Sequence, residues 1–255
     1  MKTWHKVAIA VGAVVIVLGG IGAVIFYNLV KDDAPPEFTL DSVDPSGAVS
    51  TTGAASVSDP ATPTTDTDGA AAPATGGGGG TGADGPWTID SATSTVGYRV
   101  VEVLFGVDTE GVGRTNAVTG DMTVAGSQVT EASFTVDMTT LKSDEERRDG
   151  QFNNNLMETS EFPTATFVLT EPIELGSVPA DGTPTTATAT GDLTLKATTN
   201  SVTFDVQAQK NGDKIQVVGL TDIVFADYDI PTPNVPGITT QDHGKLEFDL
   251  HFTQG

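Results

Sequence analysis

The sequence predicts an all-β domain of eight antiparallel strands with one short helical insert, preceded by a membrane span and a disordered linker. Three observations carry that reading. From Trp87 onward, apolar residues recur at every second position in segment after segment, the period of a strand with one buried face. One stretch, Ser143 to Phe167, breaks the rhythm with helical spacing. Near the amino terminus, 24 consecutive residues from Val7 to Val30 carry no charge.

As a helix those 24 residues would be about 36 Å long, enough to cross a hydrocarbon core of about 30 Å. Lys2, His5 and Lys6 precede the run and Lys31 is followed at once by Asp32 and Asp33. The positive-inside rule therefore puts residues 1–6 in the cytoplasm, the span at 7–30 and the rest of the chain outside the cell membrane. The run exceeds a signal-peptide core and no clear cleavage pattern follows, so the expected state is an uncleaved single-pass anchor. Gly12, Gly19, Gly20 and Gly22 offer a close approach to a second span, and hence a homodimer. Residues 31–86 are rich in Thr, Ala, Pro and Gly, with an unbroken glycine run from Gly76 to Gly80. Such a composition has no core to offset chain entropy, and it predicts a tether with an end-to-end distance of about 40 Å. The same composition suits a glycosylated stalk.

Residues 87–255 read as the folded domain. Val96, Tyr98 and Val100 share one face, then Val101, Val103 and Phe105 take the opposite phase, which predicts a bulge or bend. Val118, Met122 and Val124 alternate next, then Ala132, Phe134, Val136 and Met138. Ala165, Phe167 and Leu169 follow the insert, and Ala187 to Leu195 after them. Val202 to Ala208 lead through Asn211-Gly212, a type I′ turn signal, into Ile215, Val217 and Gly219. In the last strand Leu246, Phe248, Leu250 and Phe252 oppose Lys245, Glu247, Asp249 and His251.

In the insert, Ser143 with Glu146 forms a capping-box pattern, and Asp144, Glu145 and Glu146 suit the first turn of a helix. Gly150 predicts two short pieces, the second laying Phe152 and Leu156 against the sheet. Eight half-apolar strands bury their faces either as a two-sheet sandwich or as one closed sheet. Gly97, Gly120, Ala165, Ala187, Ala189, Gly191 and Gly219 would leave room inside. The bulky phenylalanines would fill it.

Three motifs carry a resemblance: W-T-I-D-S-A-T-S-T-V-G-Y at Trp87 to Tyr98; R-R-D at Arg147 to Asp149 with E-F-P-T-A-T-F at Glu161 to Phe167; and G-D-L-T-L-K-A-T-T at Gly191 to Thr199. In order and spacing the domain resembles the YceI-like family of polyisoprenoid-binding proteins. The resemblance implies a lipocalin-like β-barrel with a helical segment near one end and an apolar tunnel for an isoprenoid chain, in an exported binder without catalytic machinery. The expected lining is Tyr98, Phe134, Phe152, Phe167, Phe204, Phe248 and Phe252, with Leu156 closing one end and Arg147 or Arg148 meeting a polar head group. Two positions depart from the family pattern: Ala197-Thr198-Thr199 lacks its glycine, and Asp229 stands where glycine is common. The loop from Ala226 to Gly244, with Pro231, Pro233 and Pro236, would shape the tunnel mouth.

Other chemistries find little support. Residues 87–255 carry 9 basic and 25 acidic side chains, a net of −16, which argues against nucleic acid as a partner. The chain has no cysteine and three histidines, none with a convergent ligand set, so no metal or other cofactor is expected. The charged run Asp144 to Asp149 is explained by local pairing, such as Asp144 with Arg148. The expectation is a membrane-anchored, extracytoplasmic, non-enzymatic protein that binds an amphiphilic lipid, an isoprenoid lipid or isoprenoid quinone. The alternative is a tethered scaffold domain that meets another envelope protein through its acidic face.

Overall fold

A computed structural model describes residues 34–41, 82–104, 106–177, 179–235 and 238–254. The expected span at 7–30 and most of the linker lie outside the described residues. Among those described, no helix is long and apolar enough to cross a membrane.

The strands in chain order are β1 (Gly85–Ile89), β2 (Thr95–Leu104), β3 (Val107–Thr115), β4 (Val118–Ala125), β5 (Gln128–Asp137), β6 (Lys142–Ser143), β7 (Thr164–Leu169), β8 (Ile173–Glu174), β9 (Thr185–Leu195), β10 (Thr198–Asn211), β11 (Lys214–Val224), β12 (Asn234–Val235), β13 (Ile238–Thr240) and β14 (His243–Gln254). A helix, α1 (Glu146–Gln151), lies between β6 and β7. Eight of the strands close a ring in the order β1, β4, β5, β7, β9, β10, β11, β14, and β14 returns to β1. All pairings are antiparallel, so the closed barrel is the outcome rather than the sandwich. Closure leaves the ring without a free edge.

β14 is long enough to serve two partners. Its last residues pair with β1, Phe252 opposite Ile89, while Lys245 to Asp249 pair with β2. At one end of the barrel the wall is therefore β1, and at the other it is β2 extended by β3. The strand β1 was not among those read from alternation, and neither was β3, whose Val107-Asp-Thr-Glu-Gly-Val-Gly-Arg-Thr115 shows no clean apolar period. No bulge follows Val100 on the β3 side, where β2 pairs without interruption from Val96↔Thr115 to Leu104↔Val107; on its other edge β2 changes partner there, from β14 up to Arg99 to β13 from Glu102. Val101 of the second apolar set faces outward and is 38% exposed. The register shift falls instead between β4 and β5, at Thr123/Val124.

The turns differ in the same way. Asn211 pairs with Lys214, so the β10–β11 loop is Gly212-Asp213, with positive φ at Gly212 only, as a type II′ turn requires. The type I′ conformation sits in the β9–β10 hairpin, where Lys196 and Ala197 have φ of 46° and 64° without any glycine.

The insert is one continuous helical run. α1 passes at Phe152 into a wider π turn, Phe152–Leu156, rather than breaking at Gly150. Asn153 and Asn154 donate through Nδ2 to the carbonyls of Asp149 and Gly150, each at 2.9 Å, tying their side chains back onto the preceding turn. Glu145, not Ser143, caps the helix by accepting from the Arg147 N–H at 3.1 Å. The carboxylate that returns to the Ser143 N–H belongs to Asp149, at 2.8 Å, and not to Glu146.

Residues 34–41, placed in the tether by composition, lie against the outer wall. Arg99 and Arg114 donate to the carbonyls of Pro35 and Pro36, the Arg114 guanidinium sits 4.0 Å from the Phe38 ring centre, and the Asp41 N–H donates to Gln216 Oε1 at 2.9 Å. Beneath them is Glu247, only 2% exposed on the polar face of β14. It accepts from Arg99 Nε and, at 2.7 Å, from Arg114 Nε, while Arg99 also pairs with Glu110 at 2.8 Å. Gly97, expected inside, lies on this outer face, directly opposite Glu247 in register.

Candidate functional site: an apolar cavity at one end of the barrel

Four rings meet across the barrel. Phe134 (β5), Phe167 (β7), Phe204 (β10) and Phe248 (β14) form a closed circuit with centroid separations of 5.2 to 6.1 Å. The small inward residues make this possible. An added Cβ on Gly219 would come within 2.2 Å of the Phe248 ring, and one on Gly191 within 2.4 Å of the Phe167 ring. Gly120 differs: there an added Cβ would meet the Ser133 carbonyl oxygen at 2.1 Å and the Phe134 Cα at 2.7 Å, backbone of the neighbouring strand and no ring. None of the three leaves empty space, as their size suggested; Gly191 and Gly219 seat phenylalanines.

On one side of the quartet the barrel is packed solid by Trp87, Ile89, Val118, Met122, Val124, Leu250 and Phe252, all buried. On the other side lies a cavity of about 450 Å³, within the range of about 300 to 1,000 Å³ usual for ligand sites. The quartet forms its floor. Its walls include Val96, Val100, Met138, Leu141, Ala165, Leu193, Leu195, Val202, Ile223 and Leu246, and its mouth is framed by Phe225, Ile230, Pro231, Pro233 and Ile238.

The expected lining residues divide accordingly. Tyr98, Phe134, Phe152, Leu156, Phe167, Phe204 and Phe248 all border the cavity. Phe252 does not: it sits below the floor, opposite Ile89 and Ile215. The reason is distance along β14, since Phe252 keeps the inward phase of Phe248 but lies four residues farther toward the plugged end. Arg147 and Arg148 both reach the mouth.

The mouth has a polar side built on β3 and α1. Tyr98 stacks on Phe152 at 5.1 Å with planes 8° apart, and its ring lies over Gly113. Burial pushes the Tyr98 phenol well above its usual pKa, a shift that Asp149, Glu102 and Asp144 reinforce and the Arg148 charge opposes. The hydroxyl is therefore a neutral donor at physiological pH. Arg148 lies over Gly111 and pairs with Asp144 and, at 3.6 Å, with Glu102. Burial works against its charge, but Glu102 and Asp144 outweigh it and raise its pKa. It remains a cation at the rim. Arg147 is exposed.

Sequence patterning missed several cavity residues, among them the polar Glu102, Gln151 and Thr240. The Thr240 hydroxyl is buried without a hydrogen-bond partner. A buried unpaired hydroxyl costs free energy, and Thr240 is a residue of the cavity wall, so a polar group entering beside it would relieve that cost. No run of alternation pointed to it, because β13 is three residues long. The departures noted in the sequence also find their place here: Ala197 and Asp229 both adopt left-handed backbone, with φ of 64° and 54°. Thr198 donates to Asp229 Oδ2 at 3.0 Å and Lys196 to its carbonyl at 3.0 Å, fastening the mouth loop to the β9–β10 turn. Among the described residues no group of three or more metal-ligating side chains converges.

A closed antiparallel barrel, solid at one end and hollow with an apolar lining and a charged rim at the other, defines the class of small barrels that enclose a hydrophobic ligand. The YceI-like domain model matches residues 87–252, and the chain belongs to that family. Its fold is similar to that of a polyisoprenoid binding domain from Saccharophagus degradans implicated in plant cell wall breakdown, with a TM-score of 0.54 at 19% identity, covering 66% of this chain and 98% of that one. It is also similar to Burkholderia cenocepacia BcnA, with a TM-score of 0.50 at 22% identity, covering 64% of this chain and 98% of that one. Comparison with curated proteins finds no match.

Proposed function

We propose that this protein is a membrane-anchored, extracytoplasmic binder that holds the hydrocarbon tail of an amphiphilic lipid in the barrel cavity, with the lipid's head group at the rim. The single observation that carries the reading is the cavity of about 450 Å³ above the phenylalanine quartet. Hydrocarbon placed there leaves water, at about 25 cal/mol per Å² of apolar area, and the aromatic floor sets how far a tail can enter. Arg148 and the Thr240 hydroxyl supply a cation and an unpaired polar group for a phosphate, hydroxyl or quinone oxygen. An isoprenoid lipid or isoprenoid quinone fits this arrangement, and family membership together with the binding named for the Saccharophagus degradans domain supports it. The uncharged run Val7 to Val30, with its flanking charges, supports the anchor and the outward orientation.

Mass spectrometry of lipid extracted from the purified protein tests this directly, followed by uptake of a polyprenol by the delipidated protein. One bound lipid per chain, with uptake abolished by cavity-filling substitutions, is the expected result. A delipidated protein that takes up neither polyprenol nor quinone would overturn the reading and leave a tethered scaffold.

A further inference from the structure

Residues 34–41 change what the linker can be. Their amino-terminal end meets Arg99, which pairs in register with Lys245, while Asp41 meets Gln216, which pairs with His251. Lys245 and His251 are six residues apart on β14, about 20 Å at strand rise. The segment is thus laid with Pro35 toward the mouth half of the barrel and Asp41 toward the plugged half. Asp84, just before β1, is also in the plugged half, where Gln254 donates to its carbonyl. Asp41 and Asp84 therefore lie toward the same end of the barrel. Only residues 31–33 separate Val30 from Ala34, a path of about 15 Å at most.

We propose that the docked segment holds the barrel with its mouth against the membrane, so that a lipid passes between bilayer and cavity without crossing bulk water. This rests on the anchored reading above. The roughly 40 Å expected of a tether then has no bearing on the distance from membrane to barrel, because only three residues stand between Val30 and the docked segment that begins at Ala34. The surface that meets the membrane is the rim around Val101, Pro231 and Pro233, and Val101 and Val224 are exposed at this end. What pins the orientation is the Arg99, Arg114 and Glu247 cluster, whose two arginines grip the Pro35 and Pro36 carbonyls.

The chain lacks cysteine, so single labels are straightforward. Full-length protein carrying a fluorophore at V101C (mouth) or A125C (plugged end) is reconstituted in phosphatidylcholine vesicles containing a nitroxide head-group lipid. The expected result is quenching at V101C and none at A125C, unchanged when a Gly-Ser insertion lengthens residues 42–81. Replacing Pro35 to Asp41 with Gly-Ser of equal length should abolish the difference. Equal quenching of the two labels in the intact protein, or loss of V101C quenching on lengthening residues 42–81, would overturn the proposal. Flotation of the vesicles separates the parent reading: protein that does not co-float removes the anchor and this inference with it. Asymmetric quenching in a protein that takes up no lipid upholds the orientation and removes only the cargo.

Discussion

The Gly219→Ala substitution tests whether glycine seats define the cavity. All three nearest contacts of the added Cβ are atoms of the Phe248 ring, at 2.2, 2.8 and 2.8 Å. Ordinary van der Waals contact begins at 3.4 Å, so the ring tip must retreat by about 1.2 Å, from 2.2 to 3.4 Å. None of these contacts is sheet backbone, and the ring borders the cavity above the floor, into which it can move. Overpacking of this kind costs about 1 to 3 kcal/mol, read from urea unfolding, and the displaced ring should also reduce polyprenol uptake. The Gly191→Ala change should cost more, because there the new Cβ also meets the Val168 carbonyl oxygen at 2.5 Å, in the strand that pairs with β9. A second change, Phe248→Leu, should relieve Gly219→Ala, so that the double variant regains uptake. Unaltered stability and uptake in Gly219→Ala would refute the seating argument.

Four further outcomes follow from the same geometry. Glu247→Ala removes the carboxylate between two arginines and leaves Arg99 buried with Glu110 as its one remaining carboxylate; a loss of about 3 to 5 kcal/mol is expected by urea titration. Thr240→Val removes the orphan hydroxyl and should stabilise the empty barrel, by up to about 1 to 3 kcal/mol in thermal unfolding, while weakening uptake of polyprenol but not of the corresponding hydrocarbon. Ala197→Gly should stabilise by about 1 kcal/mol, since only glycine adopts the left-handed turn without cost. For His251, the hydrogen bond to Asp249 outweighs burial and raises the pKa. The group therefore stabilises the fold fully below its unfolded value of about 6.5 and loses that contribution as pH rises through the higher folded value. The stability gap between wild type and His251→Gln, followed by urea unfolding across pH, should be widest on the acid side and close on the alkaline side.

Alternation made the ring strands legible wherever a residue's environment depended only on which face it occupied. Leu246, Phe248, Leu250 and Phe252 all point inward as their period requires. Period does not report depth, and Phe252 was misplaced for that reason. Inward glycines were likewise read as vacancies because a sequence shows the missing side chain at Gly219 but not the ring that Phe248 lays across from the neighbouring strand. β3 was invisible because it carries Gly111 and Gly113 where an alternating strand would show bulk, and those absences admit Arg148 and Tyr98 from other elements. Composition misjudged residues 34–41 too: a prolyl segment without much apolar surface binds through its carbonyls to arginines that only the fold brings together. That burial of Glu247 could not be read from the last strand, whose pattern placed it on the solvent side.

Glycine thus has one task carried out at two heights in this barrel. At Gly191 and Gly219 it lets the rings of Phe167 and Phe248 cross from adjacent strands and close the floor, and at Gly111 and Gly113 it lets Arg148 and Tyr98 fold over β3 and build the rim. Between those levels the inward residues are branched aliphatics that stop short of the barrel axis, among them Val96, Leu193, Val202 and Ile223. A layer of large rings, a layer of shorter side chains and a layer of charged groups, stacked in that order, is the polarity profile of a lipid read from tail to head. The hollow follows from where glycine permits close approach by a neighbour and where it does not.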